Sequence, residues 1–193
     1  MKKTFVYRLF SHIPKLETQR LILRDMRVSD AEDMFAYAQR EDVSRYLTWT
    51  PHPGIQHTKE YLTYVGQRYR TGDFYDWALV SKEDDHMIGT CGFTSFDFSS
   101  DSAEIGYVLN PDYQGKGLAT EAVREVLKFG FETLSLHRIE AKFIKENTRS
   151  QKLMERVGMQ FEGYAREAMK IKGEYRTIGR SAVLRREWIS MQQ

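Results

Sequence analysis

Residues 103–122 read AEIGYVLNPDYQGKGLATEA, and they predict a strand, a glycine-bearing turn and a helix, in that order. Residues 105–109 are a short apolar and aromatic run, which is typical of a strand. Asn110-Pro111-Asp112 favours a turn, and a helical pattern opens at Thr120. Because the first turn of a helix offers free N–H groups and the positive end of its dipole, this stretch predicts an anion site, with Lys116 beside it.

Two well-known phosphate loops do not fit this stretch. The Walker A loop requires Gly-Lys-Ser/Thr, but Lys116 is followed by Gly117, and the dinucleotide fingerprint requires a third glycine where Thr120 stands. The remaining pattern is Gln114-x-x-Gly117-x-Ala119 after a strand that ends in Leu-Asn-Pro. It resembles the pyrophosphate-binding loop of the GNAT superfamily of acetyl-CoA-dependent N-acetyltransferases.

The resemblance to this superfamily covers roughly residues 16–188. LETQRLILR at residues 16–24 resembles the opening strand of the branch that includes the ribosomal-protein N-terminal acetyltransferases of the RimJ/RimL type. Asn147-Thr148-Arg149-Ser150 resembles the segment that follows the fifth strand of that branch. The resemblance implies an α/β GNAT fold, in which helices flank a single mixed central sheet of about seven strands, splayed between the fourth and fifth strands.

Length and composition agree with one domain spanning residues 1–193, in which residues 1–15 form an N-terminal extension or an early strand. The 41% hydrophobic content argues against a disordered chain, and a net charge of +2 gives no global field that would favour nucleic acid. One cysteine fits a reducing compartment, and no run is long and apolar enough for a membrane span or a signal peptide. The sequence therefore predicts a cytoplasmic protein.

Periodicity and turn residues predict the other elements. Strands are expected at residues 20–24, 76–81, 87–93, 103–109, 138–144, 160–170 and 174–185. Helices are expected after a capping box at residues 29–32, over residues 58–70 and 118–136, and from Asn147 or Thr148 through Val157. Residues 94–102 are expected to be a turn region.

The resemblance assigns the donor-binding residues. In the family, the splayed strand holds the pantetheine arm by its backbone, which implies Tyr107, Val108 and Leu109 here. The pyrophosphate would be held by Gln114, Gly115, Lys116, Gly117, Leu118, Ala119 and Thr120. Asn147 would hydrogen-bond the pantetheine or the backbone nearby, and Ser150 is also expected among the cofactor-binding residues. Tyr107, Val108 and Leu109 would look the same in an ordinary buried strand.

Acetyl transfer from a thioester to an amine needs a neutral amine and a stabilised leaving thiolate. Glu104 opens an otherwise apolar strand and is the candidate base, although a solvated carboxylate or a salt bridge would explain it equally well. Asp97 and Asp101 are weaker candidates. Many family members have a tyrosine proton donor where this chain has Met154, so Ser150 is the candidate donor for the thiolate. Its alternative role is that of a first-turn serine with local hydrogen bonds.

The remaining polar residues give weaker signals. The five histidines have no metal-ligand spacing, so no metal is expected, and Cys91 is expected to be a small core residue. His52 and His57 flank an aromatic and proline-bearing loop at residues 46–54, which is either a packed connection or a wall of the acceptor pocket. The branch often has an acidic residue and an aromatic one where Thr177 and Ser181 lie. Their absence puts the binding of a peptide N-terminal ammonium in doubt.

Two functions follow from different classes. The first is an acetyl-CoA-dependent N-acetyltransferase that works by direct attack in a ternary complex on a primary amine, either a protein N-terminus or a small amine. The alternative is a non-catalytic CoA-binding regulatory module. Neither hypothesis calls for nucleic acid or a membrane, and a homodimer is an open prediction because branch members are often dimers.

Overall fold

Eight strands form one sheet in the computed structural model, which describes residues 2–192. The strands are β1 (Leu16–Glu17), β2 (Leu21–Arg24), β3 (Tyr75–Ser81), β4 (Met87–Asp97), β5 (Ser102–Leu109), β6 (Arg138–Ile144), β7 (Gln160–Ile171) and β8 (Glu174–Leu184). Their order is β1-β2-β3-β4-β5-β6-β8-β7, with β5 and β6 parallel and every other pair antiparallel. This is the mixed α/β sheet that the resemblance implies, with the short β1 as an additional strand.

Seven α-helices flank the sheet within the described residues 2–192. They are α1 (Lys3–Phe10), α2 (Ala31–Ala38), α3 (Glu41–Ser44), α4 (Ile55–Thr71), α5 (Leu118–Lys128), α6 (Thr148–Arg156) and α7 (Arg185–Ser190). Helix α5 connects the parallel strands β5 and β6, which makes the predicted βαβ unit. None of these helices is long and apolar enough to cross a lipid bilayer.

The sheet splays between β5 and β6. The two strands pair at only four positions, from Ser102 opposite Arg138 to Ile105 opposite Ala141. Beyond that point β5 stays paired with β4 as far as Leu109, while β6 stays paired with β8 as far as Ile144. The two strands therefore open a wedge at the predicted place.

Each face of the sheet carries its own hydrophobic core. Helices α1, α5 and α6 cover one face, where Phe10, Trp77 and Leu127 are buried together. Helices α2 and α4 cover the other face, where Tyr37 and Leu62 are buried. We call these the donor face and the acceptor face, because the candidate donor and acceptor sites described below lie on them.

The segment of residues 1–15 is part of the fold. It forms α1, whose Val6 and Phe10 are fully buried, and the Trp77 indole donates a hydrogen bond to the Pro14 carbonyl at 2.7 Å. An early strand was one of the two predicted alternatives, and it is wrong. The alternating polar and aromatic residues form an amphipathic helix on the donor face.

Two other predicted elements change their bounds. Strand β4 runs to Asp97, past a bulge between Phe93 and Ser95, so the expected turn over residues 94–102 is wrong for its first four residues. The helix predicted over residues 118–136 ends as an α-helix at Lys128 and continues as a π-helical turn, Phe129–Thr133. A Cβ on Gly130 would lie 2.6 Å from Ile139 Cδ1, so the turn brings backbone against the sheet where a side chain does not fit.

The predicted capping box at residues 29–32 is also wrong. A 3₁₀ turn, Val28–Asp30, precedes α2, and the Asp30 carboxylate accepts the backbone N–H of Arg27 at 2.8 Å. The same carboxylate is buried and pairs with both terminal nitrogens of Arg24 at 2.7 and 2.8 Å. The pattern assigns Ser29 and Glu32 to the start of the helix, but the structure places the buried Asp30 carboxylate there, paired with Arg24.

Candidate active site

The wedge between β5 and β6 opens into a cleft of about 1610 Å³. Its walls come from the turn before α5, from α6, from the separated ends of β5 and β6, and from α3 on the acceptor face. Of the predicted site residues, those that line it are Tyr107, Val108, Leu109, Gln114, Gly115, Gly117, Leu118, Ala119, Thr120, Asn147 and Ser150. The structure thus brings predicted residues from three separate stretches of sequence to one cleft.

The glycine-bearing turn delivers the start of α5 to this cleft. Gly115 and Gly117 both have φ near +79°, a left-handed conformation in which a side chain is strained. Gly117 is the residue immediately before α5, so the N–H groups of the first helical turn face outward beside it. This geometry suits a phosphate group, as the sequence predicts.

An arginine that the sequence analysis treated only as part of a strand holds this turn in place. Arg20 Nη1 donates to the Lys116 carbonyl at 2.8 Å, and its Nε donates to Glu121 Oε2 at 2.7 Å. The Arg20 backbone N–H and the Thr18 hydroxyl both donate to Glu121 Oε1. We call Thr18, Arg20, Lys116 and Glu121 the loop clamp. Its members lie about 100 residues apart in the chain, so local sequence signals do not reveal it.

The loop clamp leaves the anion site electrostatically favourable. Burial alone would raise the pKa of Glu121, but the hydrogen bonds from Thr18 and Arg20 and the charge of Arg20 outweigh it, and the pKa lies below its usual value. Glu121 is therefore an anion in the first turn of α5, where it would repel a phosphate if Arg20 did not neutralise it.

Further basic side chains line the cleft. They are Arg124, Arg149, Lys152 and Arg156. Arg149 donates to the Gln114 side chain at 3.2 Å, which joins α6 to the turn. The Lys116 ammonium lies instead over the Tyr113 ring, 5.5 Å from its centroid. Lys116 therefore contributes its carbonyl to the loop clamp, whereas four of the cationic residues that line the cleft come from α5 and α6.

Ser150 and Tyr107 form a hydroxyl pair across the cleft. The two hydroxyl oxygens are 2.7 Å apart, and Asn147 caps α6 by accepting the Ser150 N–H at 3.2 Å. Burial raises the pKa of the Tyr107 phenol, so it stays protonated at neutral pH. When Tyr107 donates to the Ser150 hydroxyl oxygen, the serine proton is free to point into the cleft. The sequence analysis placed only the backbone of Tyr107 in the site.

Met154 and Cys91 are both buried in the hydrophobic core. Met154, at the position of the tyrosine donor of many family members, is 1% exposed. Cys91 is fully buried, and burial raises the pKa of its thiol well above the usual value. Neither side chain supplies a proton or a nucleophile to the cleft.

Glu104, the predicted base, lies in β5 at the last paired positions before the wedge. Its carboxylate forms an ion pair with Lys142 of β6, and Lys142 lies 3.6 Å from Glu140 as well. Of this pair, Lys142 lines the cleft. The salt bridge that the sequence analysis weighed against the catalytic role is thus present, with a lysine.

Asp97, a weaker candidate, is held as an anion. Hydrogen bonds from Ser99 and Ser100 lower its pKa to about 2. A carboxylate with so low a pKa is a poor proton acceptor at neutral pH.

The sequence analysis missed Asp76, a carboxylate of β3 on the acceptor face. Its Oδ1 is buried and has no hydrogen-bond partner within residues 2–192. Burial raises the pKa of Asp76 to about 7, while hydrogen bonds from Thr90 and from the Trp77 backbone act in the opposite direction. One sequence signal was available, since Asp76 is an acidic residue at the start of an otherwise apolar strand, as Glu104 is.

The acceptor side of the cleft is partly covered by the hairpin of β7 and β8. Tyr46, in the aromatic loop, packs against Ile144, Ile171 and Ile178. The Lys172 ammonium donates to the Ser44 carbonyl at 2.7 Å. The loop therefore packs against the hairpin and also supplies Tyr46 and Leu47 to the cleft, so both predicted readings of it apply.

Of the two histidines beside that loop, His52 is engaged locally. Its Nδ1 lies 2.8 Å from the Thr58 hydroxyl, and burial lowers the pKa of its imidazole. The His52 and His57 rings contact each other edge to face, 4.8 Å apart.

Comparison with known proteins agrees with this fold and site. The family model described as an acetyltransferase (GNAT) domain matches residues 20–160, and the chain belongs to this family. A solved GNAT-family acetyltransferase from Bacillus anthracis superimposes with a TM-score of 0.80, at 28% identity over 90% of this chain and 99% of that one. The fold that the resemblance implies is confirmed.

Two relatives narrow the class to an N-acetyltransferase. The uncharacterized N-acetyltransferase p20 of Bacillus licheniformis is 36% identical over 90% of this chain and 97% of its own. The [ribosomal protein uS5]-alanine N-acetyltransferase of Escherichia coli strain K12 is 29% identical over 95% of this chain and 97% of its own. The chain is an N-acetyltransferase, and acetyl-CoA is the donor that its family uses. The alternative of a non-catalytic module is not supported.

Proposed function

We propose that this enzyme transfers the acetyl group of acetyl-CoA directly to a primary amine, within a ternary complex. The observation that carries this proposal is the wedge between β5 and β6, which joins the anion site on the donor face to the aromatic loop on the acceptor face. A thioester in the wedge would be open to an amine from the opposite side. No covalent intermediate on the protein is required.

The donor is held by backbone more than by side chains. Residues 107–109 of β5 no longer pair with β6, so their backbone groups on that side are open to the pantetheine arm. The start of α5 offers its N–H groups to the pyrophosphate. Arg124, Arg149, Lys152 and Arg156 supply positive charge to the phosphates. Asn147 positions Ser150 through its cap.

Ser150 protonates the departing thiolate, and Tyr107 orients it. The 2.7 Å contact between their hydroxyl oxygens supports this role, because a hydroxyl that accepts from Tyr107 keeps its own proton for the cleft. On the acceptor face, a carboxylate receives the proton that the amine loses. Glu104 is the residue that the sequence predicts for this step.

The acceptor is a primary amine, either of a protein N-terminus or of a small molecule. The Escherichia coli relative, by its name, acts on the alanine of a ribosomal protein, which supports the first class. In contrast, Thr177 and the fully buried Ser181 of β8 offer no acidic group to a terminal ammonium. The cytoplasm supplies both acetyl-CoA and such acceptors, and a homodimer remains a prediction for light scattering.

The experiment combines calorimetry of CoA binding with a thiol-release assay against N-terminal peptides and small amines. We expect CoA to bind and thiol release with one acceptor class to exceed release without acceptor. Ser150→Ala, with the exposed Ser99→Ala as matched control, should lower turnover and leave CoA affinity unchanged. Absence of CoA binding contradicts the proposal.

A further inference from the structure

We infer that Asp76, in place of the ion-paired Glu104, accepts the proton of the attacking amine on the acceptor face of the cleft. This inference rests on the proposed acetyl transfer and deepens it. It comes from a row of three residues on neighbouring strands, from an unpartnered carboxylate oxygen and from the charges around the two carboxylates.

Asp76, Gly92 and Gly106 form a row across three strands. Asp76 of β3 pairs with Gly92 of β4, and Gly92 pairs with Gly106 of β5. A Cβ on Gly92 would lie 2.8 Å from Asp76 Oδ1, so the carboxylate leans over Gly92 in the direction of β5. Gly106 lines the cleft, and it lies one strand spacing of about 4.8 Å beyond Gly92. The two glycines add no side chains of their own between Asp76 and the wedge, and the Thr94 methyl group lies beside Gly106.

The carboxylate of Asp76 lacks a partner for one oxygen. Asp76 keeps part of its surface accessible, yet Oδ1 is covered and accepts no hydrogen bond from any residue that the structure describes. The Tyr69 hydroxyl donates to the backbone carbonyl of Asp76 at 2.6 Å, and therefore not to Oδ1. A buried oxygen without a donor is costly, and an ammonium or a proton would satisfy it.

The groups that face Asp76 favour proton exchange near neutral pH. They are Tyr37 from α2, Tyr61 and Tyr69 from α4, and Thr90 from β4, while Cys91 of β4 is buried on the donor face. All of them are neutral at pH 7, and no lysine or arginine within residues 2–192 forms an ion pair with Asp76. The Tyr37 hydroxyl, like Asp76 Oδ1, is buried without a hydrogen-bond partner in the described part of the chain.

Glu104 has the opposite surroundings. The Lys142 ammonium pairs with it directly, so a cation of the protein already engages this carboxylate. A base works best when its pKa lies near the working pH, which burial gives to Asp76.

Proton transfer to Asp76 precedes the attack of the amine on the thioester. The acceptor enters as R–NH₃⁺ and gives one proton to the Asp76 carboxylate, which becomes a neutral acid. The amine lone pair attacks the thioester carbonyl carbon, the C–N bond forms and the C–S bond breaks. The thiolate takes the Ser150 proton, and the proton lost by the nitrogen as the amide forms returns to Ser150 through the cleft. Asp76 releases its proton to solvent before the next turn.

The test compares Asp76→Asn, Asp76→Glu and Glu104→Gln with the exposed Asp25→Asn as matched control, using the peptide or amine that the wild type acetylates fastest. In Asp76→Asn we expect kcat/KM for the amine to fall about 100-fold, the magnitude of general-base catalysis, with an unchanged Kd for acetyl-CoA. The wild-type rate should rise with an apparent pKa of about 7. This rise should persist in Glu104→Gln, disappear in Asp76→Asn and return, at a lower rate, in Asp76→Glu.

The amine titrates as well, so two acceptors of different basicity are used: the rise assigned to Asp76 stays in place while that of the amine moves. Carbon-13 NMR of labelled aspartate, with Asp76→Asn for assignment, measures the same titration without turnover. An unchanged pH profile in Asp76→Asn, or a carboxyl that titrates near pH 4, overturns the inference. Failure of the wild type to bind CoA contradicts the proposed function instead.

Discussion

At the scale of single residues, the side of the site proposed for the leaving thiolate carries a pair of hydroxyl groups, those of Tyr107 and Ser150, where many family members have a single tyrosine donor. Met154 fills core space where many family members have the tyrosine donor, and in the proposed mechanism the proton comes from Ser150, one turn after the Asn147 cap. Tyr107 reaches Ser150 from β5, so a strand residue gives the serine the orientation that a helix residue would otherwise provide.

A double-mutant cycle tests this pair. Tyr107→Phe removes one hydrogen bond, worth about 1 kcal/mol, so we expect kcat to fall about fivefold. Ser150→Ala should cost more, and Tyr107→Phe should then add little in the Ser150→Ala background, because tyrosine acts through serine. The readout is kcat against KM for acetyl-CoA. Additive losses would show that Tyr107 acts on its own.

At the scale of elements, the turn before α5 depends on β2. The loop clamp ties the Lys116 carbonyl and Glu121 to Arg20, so the anion site takes its shape from a strand at the other side of the donor face. Within the clamp, Arg20 also neutralises the charge of Glu121 beside the candidate anion site.

Removal of Arg20 should therefore weaken donor binding selectively. In Arg20→Ala we expect KM and Kd for acetyl-CoA to rise about tenfold, the equivalent of about 1.4 kcal/mol, with kcat nearly unchanged. Arg27→Ala, which removes a comparable exposed ion pair with Asp25, is the control. An equal loss of kcat would mean that the clamp also shapes the reacting groups.

The sequence predicts the elements whose signals are local. It does not predict features that depend on contacts between residues far apart in the chain. The splay, the glycines before α5 and the Asn147 cap were all within reach of pattern and resemblance. The π-helical turn after Lys128 depends on Ile139 packing over Gly130, and the buried Asp30 carboxylate before α2 is paired with Arg24. An acidic residue at the start of an apolar strand is the one signal that β3 gives for Asp76, whereas its row with two glycines is set by strand pairing, which no local pattern records.

At the scale of the whole molecule, Asp76 links stability to pH. Its pKa of about 7 in the folded protein lies above the usual value of 3.8, so folding favours the protonated acid. The stability that this group contributes is fully present below about pH 4 and is lost as the pH rises to about 7.

Asp76→Asn should remove this loss. We expect its Tm to match that of the wild type near pH 4, to exceed it increasingly up to about pH 7 and to keep a constant advantage above that pH. The advantage amounts to at most about 4 kcal/mol, and each kcal/mol raises the Tm of a domain of this size by about 2–4 °C. Scanning calorimetry from acid to neutral pH measures it, with Asp25→Asn as control. An equal advantage at all pH values contradicts the assigned pKa.

The wedge gives the sheet an uneven mechanical strength. Five strands lie on one side of the wedge and three on the other, and the two groups are joined by four residue pairs at one end of β5 and β6. A pantetheine arm bound along residues 107–109 would bridge the open end of the wedge, in place of the β5–β6 pairing that is lost there. Release of CoA would remove this bridge and leave β5 and β6 joined by their four residue pairs.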